Sequence, residues 1–194
     1  MSEDRGNTLF PVFFKLEEMK LLIVGGGYVG EEKLGAVLKN SPRTQIKMVA
    51  TWFSEAVQDI VKDYPNITLV EKAFEPSDLE GMNLVIIGID DPEASSQIQA
   101  ACRAQNVLVN VADKPALCDF YLGSVVKKGD LKIAISTNGK SPTLSKRMRE
   151  MLTDVIPEKI DDILDQMAKV RDKLKGDFDY KIKKLDEITK DWKG

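Results

Sequence analysis

A run of strand-forming residues, Leu21-Leu22-Ile23-Val24, leads directly into Gly25-Gly26-Gly27-Tyr28-Val29-Gly30 and then into Glu31-Glu32-Lys33, which favour helix. Glycines spaced Gly-x-Gly-x-x-Gly between a strand and a helix leave few folds open. Gly25 permits a tight turn, Gly27 lets phosphate groups approach the backbone, and Gly30 lets the helix close onto the strand. The unbonded N–H groups and the dipole at the helix start favour an anion there. A purely structural strand-to-helix turn could use the same residues. The position of this turn on the first strand of a β–α–β pattern favours a dinucleotide site, with Gly25, Gly26, Gly27 and Gly30 as its cradle and a nicotinamide dinucleotide as the expected ligand.

The pattern continues down the chain. Strands are expected at residues 21–24, 46–49, 67–70, 84–89 and 107–111, and helices at 28–38, 54–63 and 92–104. Such alternation predicts an α/β fold, a Rossmann-type doubly wound parallel sheet. Residues 10–16 are expected to add an extended lead-in. After Asp113 the character changes. Two apolar runs, 121–126 and 131–136, flank Lys127-Lys128-Gly129-Asp130 and read as a β-hairpin. Ser141-Pro142 then supplies an N-cap and a first-turn proline, and Leu144, Met148, Leu152 and Val155 form one apolar stripe. Two further amphipathic stretches follow, one with Ile160, Ile163, Leu164, Met167, Val170 and Leu174, the other with Phe178, Ile182, Leu185, Ile188 and Trp192. The expected division is 1–113 for the nucleotide-binding domain, 114–142 for a hairpin and substrate loop, and 143–194 for a C-terminal helical region.

Composition removes several function classes. The sequence contains no histidine, so proton transfer near neutral pH falls to carboxylate, thiol, amine, phenol or the ligand. A formal net charge of −3 argues against a general nucleic-acid partner. The apolar runs are too short for a membrane span, and the polar opening residues lack a signal-peptide pattern, so a cytoplasmic protein is expected. Cys102 and Cys118 have no metal or redox spacing and read as free thiols.

Many NAD-binding domains end the second strand on an acidic residue that holds the adenine ribose. Here the stretch is Val49-Ala50-Thr51-Trp52. Ribose recognition therefore falls to backbone groups or Thr51, while Trp52 is either a neighbour of adenine or a packing residue. No arginine follows to support a 2′-phosphate, and NAD versus NADP stays open on these residues. Asp90 and Asp91 end the fourth strand, where one is expected to cap the next helix and the other to contact the cofactor. Asp113 follows the fifth strand, at the end of the sheet where ligands bind. It is either a turn residue or a catalytic carboxylate.

Four blocks in fixed order carry a resemblance: Phe10-Pro11-Val12-Phe13 ahead of the glycine turn; Asp90-Asp91-Pro92; Val109-Asn110-Val111-Ala112-Asp113; and Gly129-Asp130-Leu131 with Ala134-Ile135-Ser136-Thr137-Asn138-Gly139-Lys140-Ser141-Pro142. Over residues 10–155 the chain resembles the precorrin-2 dehydrogenase family, the dehydrogenase module of siroheme synthesis. The resemblance implies a homodimer, paired through the hairpin region, that oxidises precorrin-2 to sirohydrochlorin with NAD. It implies nucleotide contacts at Tyr28, Val29, Thr51 and Trp52, and a functional aspartate at Asp113. Gly30 stands where the family often has alanine, Thr51 where proline is common, and Asn138 where glycine is usual. The polycarboxylate substrate calls for cations and N–H donors, and Ser136, Thr137, Lys140, Ser141, Arg147 and Arg149 are the candidates. No metal site is expected. Two alternatives accompany this reading: a bifunctional enzyme that also inserts iron, and a non-catalytic NAD-sensing module. The chain is too short to include a fused uroporphyrinogen methyltransferase domain, so precorrin-2 is expected to come from another protein.

Overall fold

Leu21, Leu22, Ile23 and Val24 are all buried, and a strand achieves this only when both of its faces are covered. In the computed structural model, which describes residues 6–174, 176 and 178–189, they belong to β1 (Lys20–Val24). The chain continues through α1 (Tyr28–Asn40), β2 (Gln45–Ala50), α2 (Glu55–Lys62), β3 (Ile67–Glu71), a 3-10 turn at Pro76–Leu79, β4 (Leu84–Ile87), α3 (Pro92–Ala104) and β5 (Leu108–Val111). The strands form one parallel sheet in the order β3-β2-β1-β4-β5. The order reverses between β1 and β4, so the helices cover opposite faces and a crevice opens at the carboxyl ends of these strands.

Alternation along the strands sorts the core into two layers. Leu21, Ile23, Ile46, Met48, Leu84 and Ile86 meet Leu34, Val37 and Leu38 of α1 and Val57 of α2. Leu22, Val24, Val49, Val85, Ile87, Val109 and Val111 meet Ile98 and Cys102 of α3 and Leu79 of the 3-10 turn. Caps fix the helix starts. Ser54 Oγ accepts from the N–H of Val57, and Asp91 Oδ1 accepts from Glu93 and Ala94, with Pro92 filling the first helical position.

Some boundaries differ from the sequence expectation. The fourth strand stops at Ile87, because Gly88 turns beneath the start of α1. Residues 10–16 form no strand; Phe10 and Phe13 are exposed, and a 3-10 turn follows at Leu16–Glu18. The chain divides into two compact units, Met1–Leu122 and Gly123–Gly194, later than the division expected after Asp113. The reason lies in residues 114–122, which are tied back to β5. The Asp119 N–H donates to Val109 O (2.8 Å), Val109 N–H donates to Asp119 Oδ2 (3.0 Å), and Asn110 Nδ2 donates to Phe120 O (2.8 Å). These bonds satisfy the edge of the sheet.

The second unit contains the antiparallel pair β6 (Ser124–Lys128) and β7 (Leu131–Ile135), followed by α4 (Pro142–Val155), α5 (Ile160–Lys173) and α6 (Phe178–Thr189). Its hairpin turn is only Gly129-Asp130, with Gly129 at φ +51°, so Lys127 and Lys128 lie in the strand rather than the loop. Asp161 of α5 accepts from the Asp130 N–H (2.9 Å), and Lys128 Nζ donates to Ile156 O. The hairpin and the helical region, expected as separate parts, are thus joined in one unit. Trp192 lies outside the described residues.

Candidate active site

The crevice over the carboxyl ends of the sheet has a volume of about 1040 Å³. It is built from the backbone upward. Gly25 has φ +125°, a conformation side-chain-bearing residues rarely adopt, and a Cβ there would collide with the Gly88 carbonyl. A Cβ on Gly30 would collide with the Gly25 carbonyl, so α1 could not lie so close to the turn. Gly27 caps α1 without a side chain, and the first intrahelical bond is donated by Glu31 to Gly27 O (2.9 Å). The preceding N–H groups of α1 therefore have no intrahelical acceptor, which is the arrangement that receives an anion.

The segment after β2 is held over this cradle. Gly25 N–H donates to Val49 O (3.0 Å) and Ser54 N–H donates to Gly26 O (2.9 Å). Trp52 is thereby brought within about 3.2 Å of the space a Cβ on Gly27 would fill, yet its side chain remains 58% exposed. Thr51, Tyr28 and Val29 line the same crevice.

On the β2–β3 side the wall includes Lys72, Ala73, Phe74 and Pro76, none of which stood out in the sequence. Lys72 Nζ donates to Glu75 (2.7 Å) and pairs with Asp78 (3.1 Å), and Lys47 Nζ donates to Asp78 Oδ1 (2.7 Å). Asp78 is almost fully buried, and burial by itself disfavours its charge. The bonds from Lys47, the Glu75 N–H and Lys72 outweigh that effect and hold its carboxyl below the ordinary range. Gly88, another lining residue, falls inside the strand expected at 84–89, and a glycine within an apolar run is the signal that could have marked it; a Cβ there would lie 3.2 Å from Gly30 N.

Asp91 caps α3 through its Oδ1, and Asp90 and Asp91 are both exposed and both line the crevice. Asp113 also lines it, with φ +58° and no hydrogen bond from its carboxylate to the described residues. Burial disfavours the thiolate form of both cysteines. Burial raises the Cys102 thiol to about 11, and burial likewise raises Cys118, whose sulfur donates to Val111 O (3.2 Å) and accepts from the Val111 N–H (3.2 Å).

The remaining candidates belong to the second unit. Thr137 Oγ1 accepts from the Ser141 N–H (3.2 Å), Ser136 Oγ accepts from the Asn138 N–H (3.2 Å), and Ser141 Oγ caps α4 through Leu144 N–H (3.1 Å). These hydroxyls shape the loop. Lys140 and Arg147 are exposed and have no acidic partner among the described residues, while Arg149 lies 3.9 Å from Glu150. Among the described residues, no group of three or more Cys, Asp or Glu is arranged to hold a metal.

Residues 12–124 match the family model described as "Putative NAD(P)-binding", and residues 128–154 match the model for the central part of sirohaem biosynthesis protein. Siroheme synthase from Pseudoalteromonas atlantica is 35% identical over 90% of this chain and 37% of its own length. Siroheme synthase from Psychrobacter sp. is 35% identical over 86% of this chain and 34% of its own. The chain thus spans about a third of the length of these relatives. A solved structure titled SirC, precorrin-2 dehydrogenase, shares the fold with a TM-score of 0.73 at 22% identity, covering 93% of this chain and 89% of that one.

Proposed function

The chain belongs to the NAD(P)-binding family whose model its residues 12–124 match, and from that premise we propose that it oxidises precorrin-2 to sirohydrochlorin with NAD⁺, a step in siroheme formation. One observation carries the reading: the glycine cradle and Asp113 line a single crevice at the switch point of the sheet. The siroheme synthase relatives and the four sequence blocks supply the substrate class. The cradle fits a dinucleotide because no Cβ obstructs Gly27 and the first N–H groups of α1 lie beyond the helical ladder.

Bound NAD⁺ supplies the hydride acceptor. Gly25, Gly26, Gly27, Tyr28, Val29 and Gly30 are proposed to hold its pyrophosphate, Thr51 and Trp52 its adenosine side, and Asp90 a ribose. Asp91, a contact by sequence expectation, lines the same crevice and is proposed to face the cofactor while its Oδ1 caps α3. Removal of a hydride from the reduced macrocycle also releases a proton, and Asp113 takes it or orients the carbon that loses it. Lys140, Arg147 and Arg149 are proposed to bind substrate carboxylates, with Ser136, Thr137 and Ser141 keeping the loop in shape beside them. A second copy of the chain is the proposed partner, and the cytoplasm the proposed location.

Anaerobic incubation with precorrin-2 and NAD⁺, followed by ferrous iron, tests the reading. The expected result is NADH together with the sirohydrochlorin spectrum, and no conversion to siroheme when iron is added. Absence of NAD⁺ reduction overturns the dehydrogenase; siroheme formation assigns a chelatase activity as well.

A further inference from the structure

We propose that Lys114 anchors a carboxylate of the substrate on the β5 side of the crevice, an inference that rests on the tetrapyrrole reading above. Lys114 lines the crevice, and its Nζ is buried without a hydrogen-bond partner among the described residues. The backbone at this point is fixed by the fold. Lys114 N–H donates to Val111 O (3.3 Å), and its carbonyl accepts from the Leu117 N–H (3.0 Å) and from the Cys118 thiol (3.4 Å). The contrast with Lys72 is informative: that ammonium lines the same crevice but is committed to Glu75 and Asp78. Asp113, the neighbour of Lys114 in sequence, forms no ion pair with it.

A buried ammonium with no acceptor is costly, because it has lost water and gained nothing in return. An anion arriving with a ligand removes that cost. The phosphate cradle belongs to β1, and β4 lies between β1 and β5, which sets Lys114 about 10 Å across the sheet from the cradle. Oxidised nicotinamide is itself a cation and offers no counter-charge. A polycarboxylate substrate does. Because Lys114 adjoins Asp113, an anchor there also fixes the reacting part of the macrocycle beside the proton acceptor.

The test measures binding of uroporphyrin, a stable octacarboxylate macrocycle, and of NADH to the full chain, alongside thermal unfolding. In Lys114→Gln, uroporphyrin affinity falls tenfold or more, NADH affinity stays within twofold, and the melting temperature is unchanged or higher, since an unsatisfied cation has been removed. Lys114→Arg retains most of the uroporphyrin affinity. Unchanged uroporphyrin binding in Lys114→Gln overturns the proposal, as does an equal loss of NADH binding, a lowered melting temperature, or a wild-type chain that does not bind uroporphyrin. Wild-type protein that binds uroporphyrin through Lys114 yet leaves NAD⁺ unreduced with precorrin-2 overturns the dehydrogenase reading and leaves the anchor standing.

Discussion

Asp113 combines a backbone requirement with a chemical one. Its φ of +58° lies in the left-handed region, where asparagine and aspartate are tolerated better than most residues. Its carboxylate has no partner among the described residues and lines the crevice. Asp113→Asn preserves the backbone preference and removes only the basic oxygen, which separates the two roles. Turnover with precorrin-2 is expected to fall by about 10²–10⁴-fold, the range for loss of a general base, while NADH affinity moves less than twofold. Near-normal turnover in a steady-state assay would return Asp113 to the status of a turn residue. The sequence located this carboxylate because a strand end is legible from its neighbours, Val109 to Val111. The fate of Lys114 was not legible, since burial of one side-chain nitrogen depends on what the folded loop places around it. Trp52 was undecided between packing and ligand contact, and its exposure above Gly27 favours the second.

At the scale of elements, periodicity carried most of the information. The two central strands, β1 and β4, carry continuous apolar runs, β2, β3 and β5 are apolar runs broken by one polar residue (Lys47, Thr68 and Asn110), and Pro92 and Ser141-Pro142 mark helix starts by their restricted geometry. The 3-10 turn at Pro76–Leu79 escaped because a single turn has no period to detect. Its organiser is Asp78, whose partners are remote in sequence (Lys47) as well as near (Lys72 and the Glu75 N–H). Asp78→Asn keeps the shape but weakens the bonds from both lysines, which retain partial access to water. A loss of about 1–3 kcal/mol is expected, less than for a fully buried pair, and is measurable by urea unfolding. The sign of the pH dependence follows from the lowered pKa of Asp78. Its contribution is fully present above the unfolded carboxylate value, near 4, and is lost as pH falls through the lower folded value. The stability gap between wild type and Asp78→Asn should therefore be constant at neutral pH and narrow only in acid. A gap that closes above about pH 5 would show that the Asp78 charge is not its source.

At the scale of the whole molecule, the second unit leaves an apolar row on its surface. Leu144, Met148, Met151 and Val155 of α4 are 52%, 37%, 51% and 73% exposed. Their spacing of four, three and four residues keeps them on one face of the helix. The sequence stripe contained Leu152 in place of Met151, because apolar periodicity does not say which of two adjacent apolar residues turns inward; Leu152 is the less exposed of the two. If the second copy proposed above binds through α4, this row is the surface it would cover. Full burial of such a side chain is worth about 1.5–3 kcal/mol, so four that are roughly half exposed offer enough to favour association, and a two-fold axis applies the gain twice. The double substitution Met151→Glu with Val155→Glu places two carboxylates in the row and is expected to convert a dimer to a monomer in sedimentation velocity. The first unit should be indifferent to the change, because its sheet and cradle are built entirely from residues before Gly123. NADH affinity of the monomeric variant is therefore expected to stay within about twofold, an effect under 0.5 kcal/mol. A wild-type chain that sediments as a monomer at micromolar concentration, or a dimer untouched by both glutamates, would remove α4 from the interface.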